Sequence, residues 1–298
     1  MTKPPPFTKD KKIGIVALAG PMDAEILLQG EAFLQALGYD VLIAPSCFER
    51  NRYLAGNSDE DRALDLKMLF ADDEIGAILN MRGGYGSNRI MPYIKDFNFA
   101  KYPKPFIGYS DITYMHIYLN QAHHLITYHG PMIRDLLKHD KMTIDGLIKT
   151  ALNGAQLTLT GVNFISEGTG EMTGVIVGGN LTIVCSTLGT DNEIDTKGKI
   201  LFLEEVNEAP YSIDRLLMQL VHAGKIADCV GIILGDFSGE DKAGIIKTVK
   251  KILLPFKKVI ASHLPAGHTS PNLTIPLGAT CKLDVLGERI QMLTFKMV

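Results

Sequence analysis

Short apolar runs alternate with amphipathic stretches through the first half of the chain. Ile13–Leu18 reads as a buried strand. From Asp23 to Leu37 the apolar residues Ile26, Leu27, Ala32, Phe33, Leu34 and Leu37 recur at helical spacing, and Gly38 closes the helix. Tyr39–Ala44 predicts the next strand. Ser58-Asp59 opens a second helical stretch through Leu64, Leu66, Met68, Leu69 and Phe70. Ala77–Asn80, Pro105–Gly108 and Leu125–Tyr128 predict short strands, with a helix from Asp111 to Gln121. Such alternation implies a parallel sheet with helices on its faces.

The texture changes between Asn153 and Gly170, where Gly, Thr and Asn dominate and no helical period survives. This predicts an N-terminal α/β domain over 1–153, a linker over 154–170 and a smaller sheet-containing C-terminal domain over 171–298. In the second half, Glu171–Val177, Ile200–Leu203, Val230–Leu234 and Val259–Ala261 predict strands. Thr280–Val285 and Ile290–Thr294 predict a hairpin turning at Gly287. Helices are expected at Leu181–Leu188, Ile213–Ala223 and Ala243–Leu253. No internal repeat is evident.

Composition narrows the class. The chain has 298 residues, 46% hydrophobic and 21% charged, which excludes a disordered or low-complexity chain. Thirty basic against 33 acidic residues give a formal charge of −3 with no basic stripe, so nucleic acid is not an expected partner. No apolar run is long enough to suggest a membrane span. The opening Met-Thr-Lys-Pro-Pro-Pro lacks the apolar core of a signal peptide, and the four cysteines form no CxxC pair. A reducing, cytoplasmic setting is the expectation.

Three segments carry candidate chemistry. In Phe106-Ile-Gly-Tyr-Ser-Asp-Ile-Thr113 an apolar strand runs into a serine and then a helix pattern. That is the setting of a nucleophile elbow, although Ile112 stands where GxSxG has its second glycine. Ser110 as a simple helix N-cap is the competing reading. Arg82-Gly-Gly-Tyr-Gly-Ser-Asn-Arg89 follows a strand, and its glycines can bring backbone N–H groups close to an anion. It matches neither a P-loop nor GxGxxG, and a tight turn accounts for it equally well. Lys199-Ile-Leu-Phe-Leu-Glu-Glu-Val-Asn-Glu208 ends an apolar strand in three carboxylates. It is open to a catalytic acid, a solvated loop, glycoside chemistry or a metal site.

A serine nucleophile needs a base, and eight histidines are present. His123, His124 and His139 sit in polar surroundings and read as surface. His116 and His222 lie in amphipathic helices, and His129 precedes Gly-Pro at a strand end. His263 and His268 lie in the Gly/Pro-rich loop 261–272, where His268 directly after Gly267 is best placed for function.

Taken together these pieces resemble the LD-carboxypeptidase family of serine peptidases, which includes the microcin self-immunity peptidases. The resemblance runs through nearly the whole chain. It is carried by Ala19-Gly-Pro21, Arg82-Gly-Gly-Tyr-Gly-Ser, Gly108-Tyr-Ser-Asp-Ile-Thr113, His129-Gly-Pro131, Gly178-Gly-Asn-Leu181 and Leu188-Gly-Thr190. Leu203-Glu-Glu, Glu208, Tyr211, Asp214-Arg215, Gly267-His268, Asn272 and Pro276-Leu-Gly278 continue it.

The resemblance implies Ser110 as nucleophile, His268 as general base and Glu204 as the acid that orients it, with Glu205 the nearest rival. It implies an oxyanion hole from the N–H groups of Asp111 and Gly84, with Gly83 the alternative. The implied substrate is the murein tetrapeptide, cleaved between an L-centre (meso-diaminopimelate or L-lysine) and a terminal D-alanine, with no metal or organic cofactor. The implied site lies in a groove between the two domains. Two alternatives remain: hydrolysis of an aminoacyl-nucleotide antibiotic, and a non-catalytic peptide- or sugar-binding protein. Arg82, Arg89 and Arg215 are unranked candidates for reading the substrate carboxylate, and a homodimer is the default assembly.

Overall fold

The apolar run near the start forms β1 (Lys12–Val16), buried from Ile13 onward. The computed structural model describes residues 1–138, 140–160, 163–164, 171–286 and 290–297. Further strands follow as β2 (Asp40–Ile43), the two-residue pair β3 (Arg50–Asn51) and β4 (Leu54–Ala55), β5 (Ile75–Asn80), β6 (Phe106–Gly108) and β7 (Thr127–His129). Then come β8 (Leu157–Thr160), β9 (Asn163–Phe164), β10 (Met172–Asn180), β11 (Ile200–Val206), β12 (Gly231–Ser238) and β13 (Val259–Ser262). The chain closes with β14 (Ile275–Leu277), β15 (Thr280–Leu286) and β16 (Ile290–Lys296).

These strands build two main sheets. The first has six strands in the order β14-β7-β6-β5-β1-β2, all parallel except β14, which runs antiparallel to β7. The second has eight strands in the order β8-β16-β15-β10-β11-β12-β13-β9, with a parallel centre from β10 to β13 and antiparallel flanks. The α/β reading, with a parallel sheet in the N-terminal half and a second sheet after it, matches this architecture.

Helices cover the sheets as their apolar spacing requires. Ala24–Ala36 buries Leu27 and Leu34. Asp59–Ala71 is started by Ser58, whose Oγ accepts from the Asp61 N–H at 3.0 Å. Pro210 starts Pro210–His222 earlier than the periodicity suggests, because proline at the first turn gives up an N–H that would have no partner there. Thr113–His123 begins two residues later than expected, after a 3-10 turn at Ser110–Ile112. Ile117 of this helix is buried in the core of the second sheet, beside Val177 and Leu181. Burying a side chain of that size contributes about 1.5–3 kcal/mol, here toward holding the two sheets together. Across the same seam the Asn180 N–H donates to Thr113 Oγ1 at 3.0 Å.

The segment read as linker departs from expectation. Its residues 157–160 and 163–164 are β8 and β9, which flank opposite ends of the second sheet. The alternation of half-buried and exposed positions in β8 is that of an edge strand, with too little apolar content to stand out in sequence. The rest of that segment (161–162 and 165–170), the expected turn at Gly287 and the expected surface position of His139 lie outside the described residues. Among the described residues no helix is long and apolar enough to cross a membrane. All four cysteines are buried free thiols. Burial raises their pKa values, to about 11 for Cys229 and about 12 for Cys185.

Candidate active site

Ser110 sits where β6 ends. Tyr109 is still extended, and Ser110 then turns into the left-handed region at φ +64°. This conformation is costly for a residue with a Cβ and marks a backbone forced to present a side chain. No side-chain cap hydrogen bond forms at this turn, so the N-cap reading does not describe it.

The strand before the turn is held from both sides. Asn80 Nδ2 donates to the Ile107 carbonyl at 2.8 Å, and His116 Nε2 lies 2.8 Å from the Gly108 carbonyl. Burial drives the His116 pKa down to about 3, so the ring is neutral. A carbonyl can only accept, so Nε2 carries the proton and Nδ1 accepts from Thr127 Oγ1 at 2.9 Å.

The glycine loop lies directly on this turn. A Cβ at Gly83 would stand 2.7 Å from Ser110 Cβ, 2.8 Å from Ser110 Oγ and 3.5 Å from the Asp111 nitrogen. Residue 83 must therefore be glycine for the loop to reach the serine. The loop end is pinned as well. Ser87 N–H donates to Asp111 Oδ2 at 2.8 Å, and Ser87 Oγ donates to the Asp111 carbonyl at 2.7 Å. Burial raises the Asp111 pKa, opposed by the bonds from Ser87. Gly83→Ala is expected to lower turnover at least tenfold while the protein still folds, because the added methyl must displace Ser110 or the loop. Turnover together with a thermal melt checks this, and wild-type turnover would contradict the contact.

Glu204 and Glu205 end β11 on opposite faces, as strand alternation requires. Glu204 is fully buried, and its Oε2 accepts from His268 Nδ1 at 2.8 Å. Glu205 caps the helix Leu181–Ser186 instead. It accepts from Asn180 Nδ2 at 2.9 Å, from the Thr182 N–H at 2.8 Å, from Thr182 Oγ1 at 2.7 Å and from the Val206 N–H at 2.9 Å. Of the two carboxylates left open in the sequence, Glu204 meets His268 and Glu205 does not.

The histidine loop is fixed just before His268. Gly267, at φ +111°, packs against the Glu204 carboxylate where a Cβ would collide. Its N–H donates to Asn272 Oδ1 at 2.9 Å, and the Asn272 N–H donates to Thr143 Oγ1 at 2.9 Å. The Tyr109 ring meets His268 edge-on at 4.8 Å, and its hydroxyl donates to Asp135 Oδ1 at 3.2 Å.

The electrostatics follow from burial and pairing. Burial opposes a charge on Glu204, but the two neighbouring histidines outweigh it and hold the carboxyl below its ordinary range. His268 supplies the hydrogen bond, because His129 Nε2 stands 3.8 Å from Glu204 Oε1, too far for one. Burial likewise opposes a charge on His268, and the Glu204 carboxylate overrides it, raising the histidine pKa above 6.5. With Nδ1–H on Glu204, neutral His268 keeps a lone pair on Nε2.

His268 and Ser110 line one cavity of about 150 Å³, together with Gly83, Gly84, Arg82 and Arg134. Of the three sequence-predicted arginines, only Arg82 among the described residues reaches it. Arg89 is paired with Asp59 at 2.8 Å, and Arg215 lies over the Tyr211 ring at 5.9 Å. Arg134 was not anticipated, although it follows the His129-Gly-Pro131 segment. None of the other described histidines lines the cavity. His116 is structural and His129 is buried, while His124, His222 and His263 are exposed. His123 is less exposed than its polar neighbours suggest, since it packs on Phe99 at 5.1 Å. Among the described residues no group of three or more His, Cys, Asp or Glu is placed to hold a metal.

Known proteins share the sequence and fold of this chain. Residues 13–130 match the LD-carboxypeptidase N-terminal domain, and residues 173–283 match the LD-carboxypeptidase C-terminal domain. A "Probable murein peptide carboxypeptidase" of Bacillus subtilis (strain 168) is 35% identical over 292 residues, covering 95% of this chain and 91% of that one. The muramoyltetrapeptide carboxypeptidase from Oxalobacter formigenes superposes with a TM-score of 0.86 at 25% identity, over 96% of this chain and 99% of that one. The microcin C7 self immunity protein MccF, solved with aspartyl sulfamoyl adenosine, shares the fold with a TM-score of 0.86 at 20% identity, over 100% of this chain and 99% of that one.

The protein is a peptidase. It belongs to the LD-carboxypeptidase family.

Proposed function

We propose that the protein is a serine LD-carboxypeptidase that removes the terminal D-alanine from murein tetrapeptides. One observation carries the reading: His268 is bonded through Nδ1 to buried Glu204 at 2.8 Å and shares a cavity with Ser110. The murein substrate rests on the names of the Bacillus and Oxalobacter relatives.

The chemistry follows the general logic of acyl transfer. His268 Nε2 takes the Ser110 proton as Oγ bonds to the scissile carbonyl carbon. The developing oxyanion is met by the N–H groups of Asp111 and Gly84. His268 then returns the proton to the departing amine, the C–N bond breaks and D-alanine leaves. Water, deprotonated by His268, cleaves the acyl-enzyme and frees Ser110. Glu204 stays ionised throughout and holds the ring. These steps draw on no metal and no organic cofactor, and a cytoplasmic enzyme of this kind would act on imported wall fragments.

Mass spectrometry of the protein incubated with L-Ala-D-Glu-meso-diaminopimelate-D-Ala tests the reading. Loss of one alanine is expected. No loss with folded protein would reject it and turn attention to aminoacyl-nucleotide substrates.

A further inference from the structure

The cavity beside Ser110 is small and holds a cation with no protein counter-ion bound to it. At about 150 Å³ it is well below the ~300 Å³ at which pockets begin to accept drug-sized ligands, and it suits one small residue. Arg134 lines it, is exposed, and makes no hydrogen bond or salt bridge among the described residues.

Its neighbours are committed elsewhere. Arg82 donates from Nε to the Gly83 carbonyl at 3.1 Å and from an Nη to the Pro21 carbonyl at 3.0 Å. Asp135, the adjacent carboxylate, is satisfied by Tyr109, by Lys138 at 3.2 Å and by the Met132 N–H at 3.1 Å. It therefore does not quench Arg134.

The geometry points to this cavity as the leaving-group subsite, with Arg134 as the residue that binds the free carboxylate of the substrate's last residue. The inference rests on the carboxypeptidase reading above and deepens it. An exopeptidase must distinguish a terminal carboxylate from a continuing peptide. A guanidinium can grip that carboxylate through two parallel N–H···O bonds, which an amide or a further residue cannot reproduce. The small volume favours a short leaving group. Arg134 is thus a specificity residue, and Arg82 shapes the glycine loop.

The test compares the tetrapeptide acid with its C-terminal amide. Wild-type kcat/KM should favour the acid by about 10- to 100-fold, the scale of a charge-assisted hydrogen-bond pair. Arg134→Gln should lose that preference by slowing far more on the acid than on the amide. Arg134→Lys should lie between, because it keeps the charge and loses the fork. Arg82→Gln should slow both substrates alike.

An acid-to-amide ratio unchanged in Arg134→Gln, or an equal fall on both substrates, would overturn the assignment. Binding separates this outcome from failure of the carboxypeptidase reading. Calorimetry on Ser110→Ala should show the acid binding more tightly than the amide, and Ser110→Ala with Arg134→Gln should show no preference. If the wild-type protein releases no alanine, the reaction is wrong, and the calorimetric preference still decides Arg134. Absence of that preference in Ser110→Ala overturns the subsite.

Discussion

Replacing Ser110 with alanine is expected to lower turnover of the tetrapeptide by about 10⁴-fold or more, the usual cost of losing a nucleophile from a triad. The fold should survive. Serine and alanine carry the same Cβ penalty at φ +64°, so Tm should stay within about 2 °C. Ser110→Gly makes an informative partner. Glycine adopts that conformation freely, so this variant should be equally inactive yet more stable by about 1 kcal/mol. Turnover, labelling by a serine-directed probe and thermal melts on all three proteins check the pair. Activity above one part in a hundred of wild type in Ser110→Ala would reject the nucleophile.

The second large effect belongs to the carboxylate. Glu204→Gln keeps the shape and removes the charge that raises His268, and it should reduce kcat by about 10³- to 10⁴-fold. It should also move the pH profile in a defined direction. As the proposed base His268 must be neutral, and Glu204 raises its pKa from the ordinary 6.5, so wild-type activity should fall as pH drops through a midpoint above that value. Without Glu204, burial is the dominant remaining influence on the ring and disfavours its charged form, so the acid limb should shift to lower pH.

Glu205→Gln is the control. This carboxylate accepts four protein donors and caps a helix, so its loss should lower Tm, and it should move the limb less than Glu204→Gln does, because its charge raises His268 without a hydrogen bond to it. A profile that moves with Glu205→Gln and not with Glu204→Gln would exchange their roles.

Much of this arrangement could be read in the chain because local chemistry and global fold agree there. The buried run at Ile13–Leu18, the helix closed by Gly38 and the serine between Gly108 and Thr113 each announce themselves within a few residues. What escaped depends on contacts distant in sequence. The strand Ile275–Leu277 contains Pro276, which argues against a strand unless it lies at a sheet edge, and an edge is where it lies. Glu204 and Glu205 are adjacent in sequence, and only the partners on the two faces of the sheet tell them apart. Arg134 looks like any exposed arginine until the loops after β5 and β6 and the histidine loop close around it. The left-handed Ser110 left no mark in sequence, because serine is no better suited to that conformation than most residues.

The edge strand Ile275–Leu277 also sets an order of events during synthesis. It completes the first, six-stranded sheet by pairing with Thr127–His129, nearly 150 residues upstream on the register Ile275↔His129. Until the ribosome has delivered that late segment, the first sheet ends in an unpaired, fully buried type of strand with its N–H and C=O groups open. The nascent N-terminal half is therefore a template for wrong pairing during much of translation. Cutting the chain between its two family domains would leave the same edge uncovered in the first half alone, so the halves should recover the native sheet when co-expressed and the first should aggregate when made by itself.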